Sequence, residues 1–143
     1  MKDPQGIHGG GFSLSLNVED MVKLGFLLLN EGQYHGKQLV SSDWLAQTRT
    51  PYKPFEITQD GTYGYGYQIK SYESTNANTK MDYYYASGLY GQYIFIVPTL
   101  KIMAVVKSHL PYEQLTAPRQ FFEAFLSVML SKNTNVNNQT TPT

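Results

Sequence analysis

Tyr83-Tyr-Tyr-Ala-Ser-Gly-Leu-Tyr-Gly-Gln-Tyr-Ile-Phe-Ile-Val-Pro98, followed by Ile102-Met-Ala-Val-Val-Lys107, is the stretch whose reading decides the fold. Its aromatic and β-branched residues suit extended, half-buried backbone. Met81–Ala86, Gln92–Val97 and Ile102–Lys107 read as three strands. Gly88 and Gly91 interrupt the first two, and Gly91 marks a bend that needs positive φ or close backbone approach. The link Pro98-Thr-Leu-Lys101 is short enough for an antiparallel hairpin.

Working outward, Tyr63, Tyr65, Tyr67 and Ile69 alternate with Gly64, Gly66, Gln68 and Lys70. Period two predicts a fourth strand, 63–71, with one aromatic face and one bare face. A bare glycine face implies that another element approaches the backbone closely. Ser71–Lys80 is polar and reads as a loop, as does Thr50–Asp60 with its two prolines. Upstream the period is helical. Asn17 is a candidate N-cap, with Asp20 three residues on. Val18, Met21, Leu24 and Leu28 form one apolar stripe of a helix over 18–30, and Gly32 suits its left-handed end. Gln33–Gln38 is a polar connector with a tight turn at Gly36. Ser42 can cap a short helix over 43–49, with Trp44 and Leu45 facing inward. Pro118 fits a helix start, and Phe121, Phe122, Phe125, Val128 and Met129 give the helix 118–131 an apolar face.

The expected class is therefore α+β: an antiparallel sheet of about four strands (63–71, 81–86, 92–97, 102–107) backed by the helix 118–131, with helices at 18–30 and 43–49. The chain's 143 residues match one ordinary domain. Residues 132–143, rich in Asn and Thr, are expected to form a disordered tail.

Composition excludes several functions. Eleven basic and eleven acidic residues cancel with no basic stripe, so nucleic acid is a poor partner. No apolar run nears the roughly 20 residues of a membrane span, and the opening Met1-Lys-Asp-Pro-Gln-Gly6 has no apolar core of a signal peptide. The chain has no cysteine, and His8, His35 and His109 lie far apart, so no metal site is expected. No other cofactor is implied.

The ordered set of words in this chain resembles a known family. Gly9-Gly-Gly-Phe-Ser-Leu-Ser-Leu-Asn-Val-Glu-Asp-Met-Val-Lys-Leu-Gly25, Leu28-Leu-Asn-Glu-Gly32, Gly36-Lys-Gln-Leu-Val40, Trp44, Tyr63-Gly-Tyr-Gly-Tyr67 and Ala86-Ser-Gly-Leu-Tyr-Gly-Gln-Tyr-Ile-Phe-Ile-Val-Pro98 follow the pattern of serine β-lactamase-like and penicillin-binding-protein-like hydrolases. The closest branch is that of class C β-lactamases, esterases and D-amino-acid peptidases. The resemblance covers roughly residues 3–131 and implies the C-terminal portion of such a domain. The family's chemistry needs a Ser-x-x-Lys nucleophile and base, a Tyr-x-Asn-type proton relay, and a Lys-Thr-Gly-type strand that lines the pocket.

None of the three is present. No serine has lysine three residues later, and no tyrosine has asparagine two residues later. Tyr72-Glu-Ser74 and Tyr85-Ala-Ser87 match only a looser Tyr-x-Ser. The Tyr83–Gly88 run stands where Lys-Thr-Gly is expected, which argues against a β-lactam carboxylate anchor more than against hydrolysis. The resemblance thus implies no catalytic residue in this chain. Ala86, Ser87, Gly88 and Leu89 are candidates for a substrate-binding or oxyanion wall, and Gly91 for the structural bend. A plain bulge or turn that lets two strands pair is the alternative for the same glycines.

The expectation is a C-terminal segment of a serine hydrolase, inactive by itself, whose exported parent (periplasm or cell envelope) acts through an acyl-serine. The alternative is a non-catalytic binding or self-associating module of that fold. The partner would be the missing N-terminal half, whose strand would pair with Ile102–Lys107, or a second copy in a homodimer. The tyrosines between Tyr63 and Tyr93 can serve as a sugar- or peptide-stacking platform or as half-buried strand residues.

Overall fold

Asn17 begins the first helix as its side chain predicts: Oδ1 accepts from the Asp20 backbone N–H at 2.7 Å. In the computed structural model, which describes residues 2–7, 14–76 and 81–137 with side chains through 131, this helix is α1 (Val18–Leu29). Gly32 ends it at φ +84, donating to the Leu27 carbonyl. The connector holds a tiny hairpin, β1 (Gln33–Tyr34) with β2 (Lys37–Gln38), turned by Gly36 at φ +75. Ser41, not Ser42, caps the next helix, α2 (Ser42–Arg49), by accepting from Trp44 N. A bidentate ion pair, Arg49 to Glu31 at 2.8 and 2.9 Å, fastens α2 to the end of α1.

The sheet follows in strict meander order: β3 (Lys53–Ile57), β4 (Gly61–Tyr65), β5 (Lys70–Ser74), β6 (Tyr83–Gly88), β7 (Gln92–Val97) and β8 (Ile102–Val106), all antiparallel. The α+β class stands, but the sheet has six strands where four were expected. Two differences account for this. The expected single strand 63–71 is the end of β4 and the start of β5, because Gln68 adopts φ +62 and reverses the chain. The alternation of tyrosines runs in phase through the turn and conceals it. The expected loop 50–60 contains β3, an edge strand exposed at every residue, so it carries no alternation to read. Pro54 sits there next to a register shift, where an edge strand tolerates it. The bare face does mark close approach. A Cβ on Gly64 would collide with Pro51, and one on Gly66 with the Thr48 carbonyl.

Alternation along β6 to β8 divides the core in two. Tyr84, Ile94 and Ile96 join Met21 of α1 on one face. Tyr63, Tyr72, Tyr83, Tyr85, Tyr93, Phe95 and Val97 lie on the other, beneath α3 (Ala117–Asn137). Among the described side chains of α3, one line is buried there, Phe122 and Leu126, with Phe122 stacked on Phe95 at 4.2 Å. Phe121, Phe125 and Val128, expected to help cover the sheet, are exposed. Trp44 is a similar correction: Leu45 is buried, but Trp44 is 46% exposed, since the two point about 100° apart around the helix. The backbone of α3 runs on through Asn137, so the first part of the expected tail is helical; residues 138–143, and residues 8–11 of the glycine-rich loop with His8, lie outside the described residues. No helix among the described residues is long and apolar enough to cross a membrane.

Candidate functional site

β6 is longer than its partner on one side. Its pairing with β5 runs from Tyr72↔Tyr83 to Lys70↔Tyr85 and stops, while its pairing with β7 continues to Gly88↔Gln92. Ala86, Ser87 and Gly88 therefore overshoot β5. Among the described residues they have a strand on the β7 side only, and the main-chain groups on their other side have no ladder partner there. Such groups in a water-accessible groove are ready hydrogen-bond donors and acceptors. Leu89 is past the strand end, 62% exposed at the hairpin tip.

The bend that closes this hairpin is held tightly. Tyr90 and Gly91 take φ +71 and +82. The Ser108 hydroxyl shares its one proton between the Tyr90 and Gly91 carbonyls, and Leu110 N donates to Tyr90 O at 3.0 Å. Tyr90 stacks on His109 at 4.4 Å, which gives that histidine a structural contact. Gln92 spans from β7 to the end of β8 through a 2.7 Å bond to Ser108 O.

Beside the overshoot lies a cavity of about 420 Å³. Ala86, Ser87 and Gly88 line one side, Met21 and Leu24 of α1 another, and the 14–16 segment contributes to the rim. Lys107 pins that segment by donating to the Leu16 carbonyl at 2.8 Å. The lining is mainly apolar with a strand edge along one rim, an arrangement typical of small-molecule sites.

Main-chain groups along such a rim can bind and orient an extended ligand. Alternation puts Ser87 on the face of Tyr85 and away from α1; the residue is exposed, and its hydroxyl has no side-chain hydrogen bond among the described residues. No histidine, lysine or carboxylate among the described residues is hydrogen-bonded to it, and a serine nucleophile needs such a base. Of the looser Tyr-x-Ser pairs, Tyr72 spends its hydroxyl on the Asp60 carbonyl, and Tyr85 is buried under α3. The structure thus brings Ala86, Ser87 and Gly88 together at one cavity, leaves Leu89 outside it, and places Gly91 at the bend behind. No group of acids or histidines among the described residues could hold a metal ion.

On the opposite face, Glu123 was not singled out from the sequence. Its Oε1 accepts from the Tyr63 hydroxyl at 2.6 Å and from that of Tyr83. Burial, and then this carboxylate, raise both phenols well above the ordinary tyrosine range. Arg119, one turn earlier, lies over the Tyr63 ring at 4.2 Å. The available signal was an acid on a helix whose neighbours are phenylalanines. The network is a satisfied core device that seats α3 on the tyrosine face.

A sequence model of the Beta-lactamase family matches residues 2–126. No curated protein matches the chain.

Proposed function

The chain belongs to the β-lactamase family, and from that premise we propose that it supplies one wall of a serine-hydrolase cleft whose nucleophile comes from another segment. The observation that supports this reading is the overshoot of Ala86, Ser87 and Gly88 beyond β5, beside the 420 Å³ cavity. A strand edge with free main-chain groups can align an extended acyl substrate, and an N–H within Ser87–Leu89 can donate to an oxyanion that develops at its carbonyl. Gly88 keeps that edge low, so that a substrate backbone can approach.

The complementing segment would carry Ser-x-x-Lys, and hydrolysis would pass through an acyl-serine, as in the esterases, D-amino-acid peptidases and class C enzymes of the resemblance. The segment seen here would be the C-terminal part of such a domain. A strand of that segment would cover β8, which is the last strand on its side of the sheet among the described residues. An open apolar edge of this kind recruits a strand. Ester and amide substrates fit better than one anchored by a β-lactam carboxylate, because no lysine stands on β6.

Turnover by the chain alone tests the reading. A chromogenic cephalosporin and a short-chain nitrophenyl ester should both remain unhydrolysed, since an oxyanion wall without an activated nucleophile forms no acyl-enzyme. Saturable turnover that is lost on Ser87→Ala would overturn it.

A further inference from the structure

Three exposed aromatic side chains from three separate segments meet on the surface beyond β4 and β5. Trp44 comes from α2, Tyr52 from the lead into β3, and Tyr67 from the β4–β5 turn; they are 46%, 63% and 50% exposed. Tyr67 sits at the centre, 5.3 Å from Trp44 at a 31° tilt and 5.1 Å from Tyr52 edge-on. Contiguous exposed apolar surface of this kind is a mark of interaction sites.

The cluster is rigid before any ligand arrives. Gly66 N donates to Ile69 O at 2.8 Å and closes the turn, and Tyr52 N donates to Tyr65 O at 3.1 Å. Gly66 has no room for a side chain because the Thr48 carbonyl at the end of α2 lies against it. The three backbones are therefore locked together, and the rings need little ordering on binding.

We propose that Trp44, Tyr52 and Tyr67 form a stacking platform for the pyranose rings of a neutral oligosaccharide. A pyranose has an apolar C–H face and a hydroxyl rim. The platform has the matching halves: exposed ring bodies, and phenol hydroxyls in water at their edges. Tyr52 and Tyr67 meet edge-on with ring centroids 5.1 Å apart, so both phenols belong to one patch. A purely apolar occupant would leave these hydroxyls unsatisfied. In sequence, Asp43 precedes Trp44 and Lys53 follows Tyr52, opposite charges that single out no ionic ligand. The platform is at the same end of the sheet as Ala86–Gly88, because the β4–β5 and β6–β7 turns both lie there by strand register. It binds whether or not those residues form a cleft wall.

Trp44 is the only tryptophan in the chain, so its fluorescence reads this surface directly. The chain is titrated with cellotetraose, maltotetraose and tri-N-acetylchitotriose up to about 10 mM, the range of weak sugar affinities. At least one should give a saturable change in Trp44 emission. The double variant Tyr52→Ala/Tyr67→Ala, with circular dichroism as its folding control, should lose at least about tenfold in affinity, as expected for two lost ring contacts. Tyr67→Phe, which keeps the ring and cannot disturb the backbone, should retain stacking with a several-fold loss. No change with any of the three sugars overturns the proposal. So does an unchanged titration in the double variant, a response to an aromatic peptide alone, or an emission change that follows protein concentration without sugar. The readout needs no turnover, so its failure and that of the cleft-wall reading are distinguishable.

Discussion

Replacing Gly91 by alanine should destabilise the chain by an amount that separates into two parts. Gly91 is at φ +82, where a Cβ crowds the following carbonyl at a cost of about 1–2 kcal/mol. The added Cβ would also lie 2.8 Å from Ser108 Oγ and 3.0 Å from Leu110 Cδ1. Ser108 Oγ is committed to the Tyr90 and Gly91 carbonyls, so moving it loses roughly another 1 kcal/mol of hydrogen bonding. The sum is about 2–3 kcal/mol, or roughly 5–10 °C in melting temperature for a domain of this size. Gly36→Ala isolates the first part. Gly36 has φ +75 but open space around its would-be Cβ, so its cost should be the conformational 1–2 kcal/mol alone. Urea unfolding of both variants and the parent, followed by circular dichroism, gives the difference directly. Equal losses in the two variants would refute the contact at Ser108, and no loss in either would refute the left-handed bends themselves.

Three further outcomes are expected. Phe95→Ala should cost about 3–5 kcal/mol, since Phe95 is fully buried between Phe122 and Tyr93; a urea midpoint near that of the parent would contradict the packing. Burial first, and then Glu123, raise the Tyr63 and Tyr83 phenols above 10.0; a raised folded pKa gives stability that is intact below the unfolded value and lost as pH rises past it. Urea midpoints should therefore decline from about pH 10 upward, and Tyr83→Phe should flatten that decline. Finally, the open β8 edge should make the free chain self-associate across a two-fold axis, visible as a concentration-dependent mass in sedimentation equilibrium; a monomer throughout the range would show that the edge is covered internally.

Features set by one residue's chemistry were legible in the sequence. Asn17 caps α1 because its side chain reaches the Asp20 N–H, Gly32 and Gly91 take the positive φ their places require, and Gly64 and Gly66 mark a close approach. Features set by tertiary competition were not. The turn at Tyr67-Gln68 uses no glycine or asparagine at its positive-φ position, so the tyrosine alternation passes through it unbroken. β3 is exposed on both faces and leaves no pattern. The phenylalanines of α3 look like one apolar face, but among its described apolar side chains only Phe122 and Leu126 are buried. At the candidate site, the residues Ala86–Gly88 were visible as a glycine-marked run. Their overshoot past β5 depends on where a different strand begins, which no local pattern carries. The pin from Lys107 to Leu16 joins residues 91 apart in sequence and left no signal at all.

The central claim is that this chain provides a cleft wall and not the nucleophile. It is tested most directly by intact mass after a fluorophosphonate probe, with the chain alone and mixed with a family segment that carries Ser-x-x-Lys. The account predicts no adduct on this chain in either sample, and an adduct on the other polypeptide that forms only in the mixture and is suppressed by Gly88→Val. A stoichiometric adduct on a serine of this chain, or labelling of the other polypeptide at the same rate with and without it, would contradict the account.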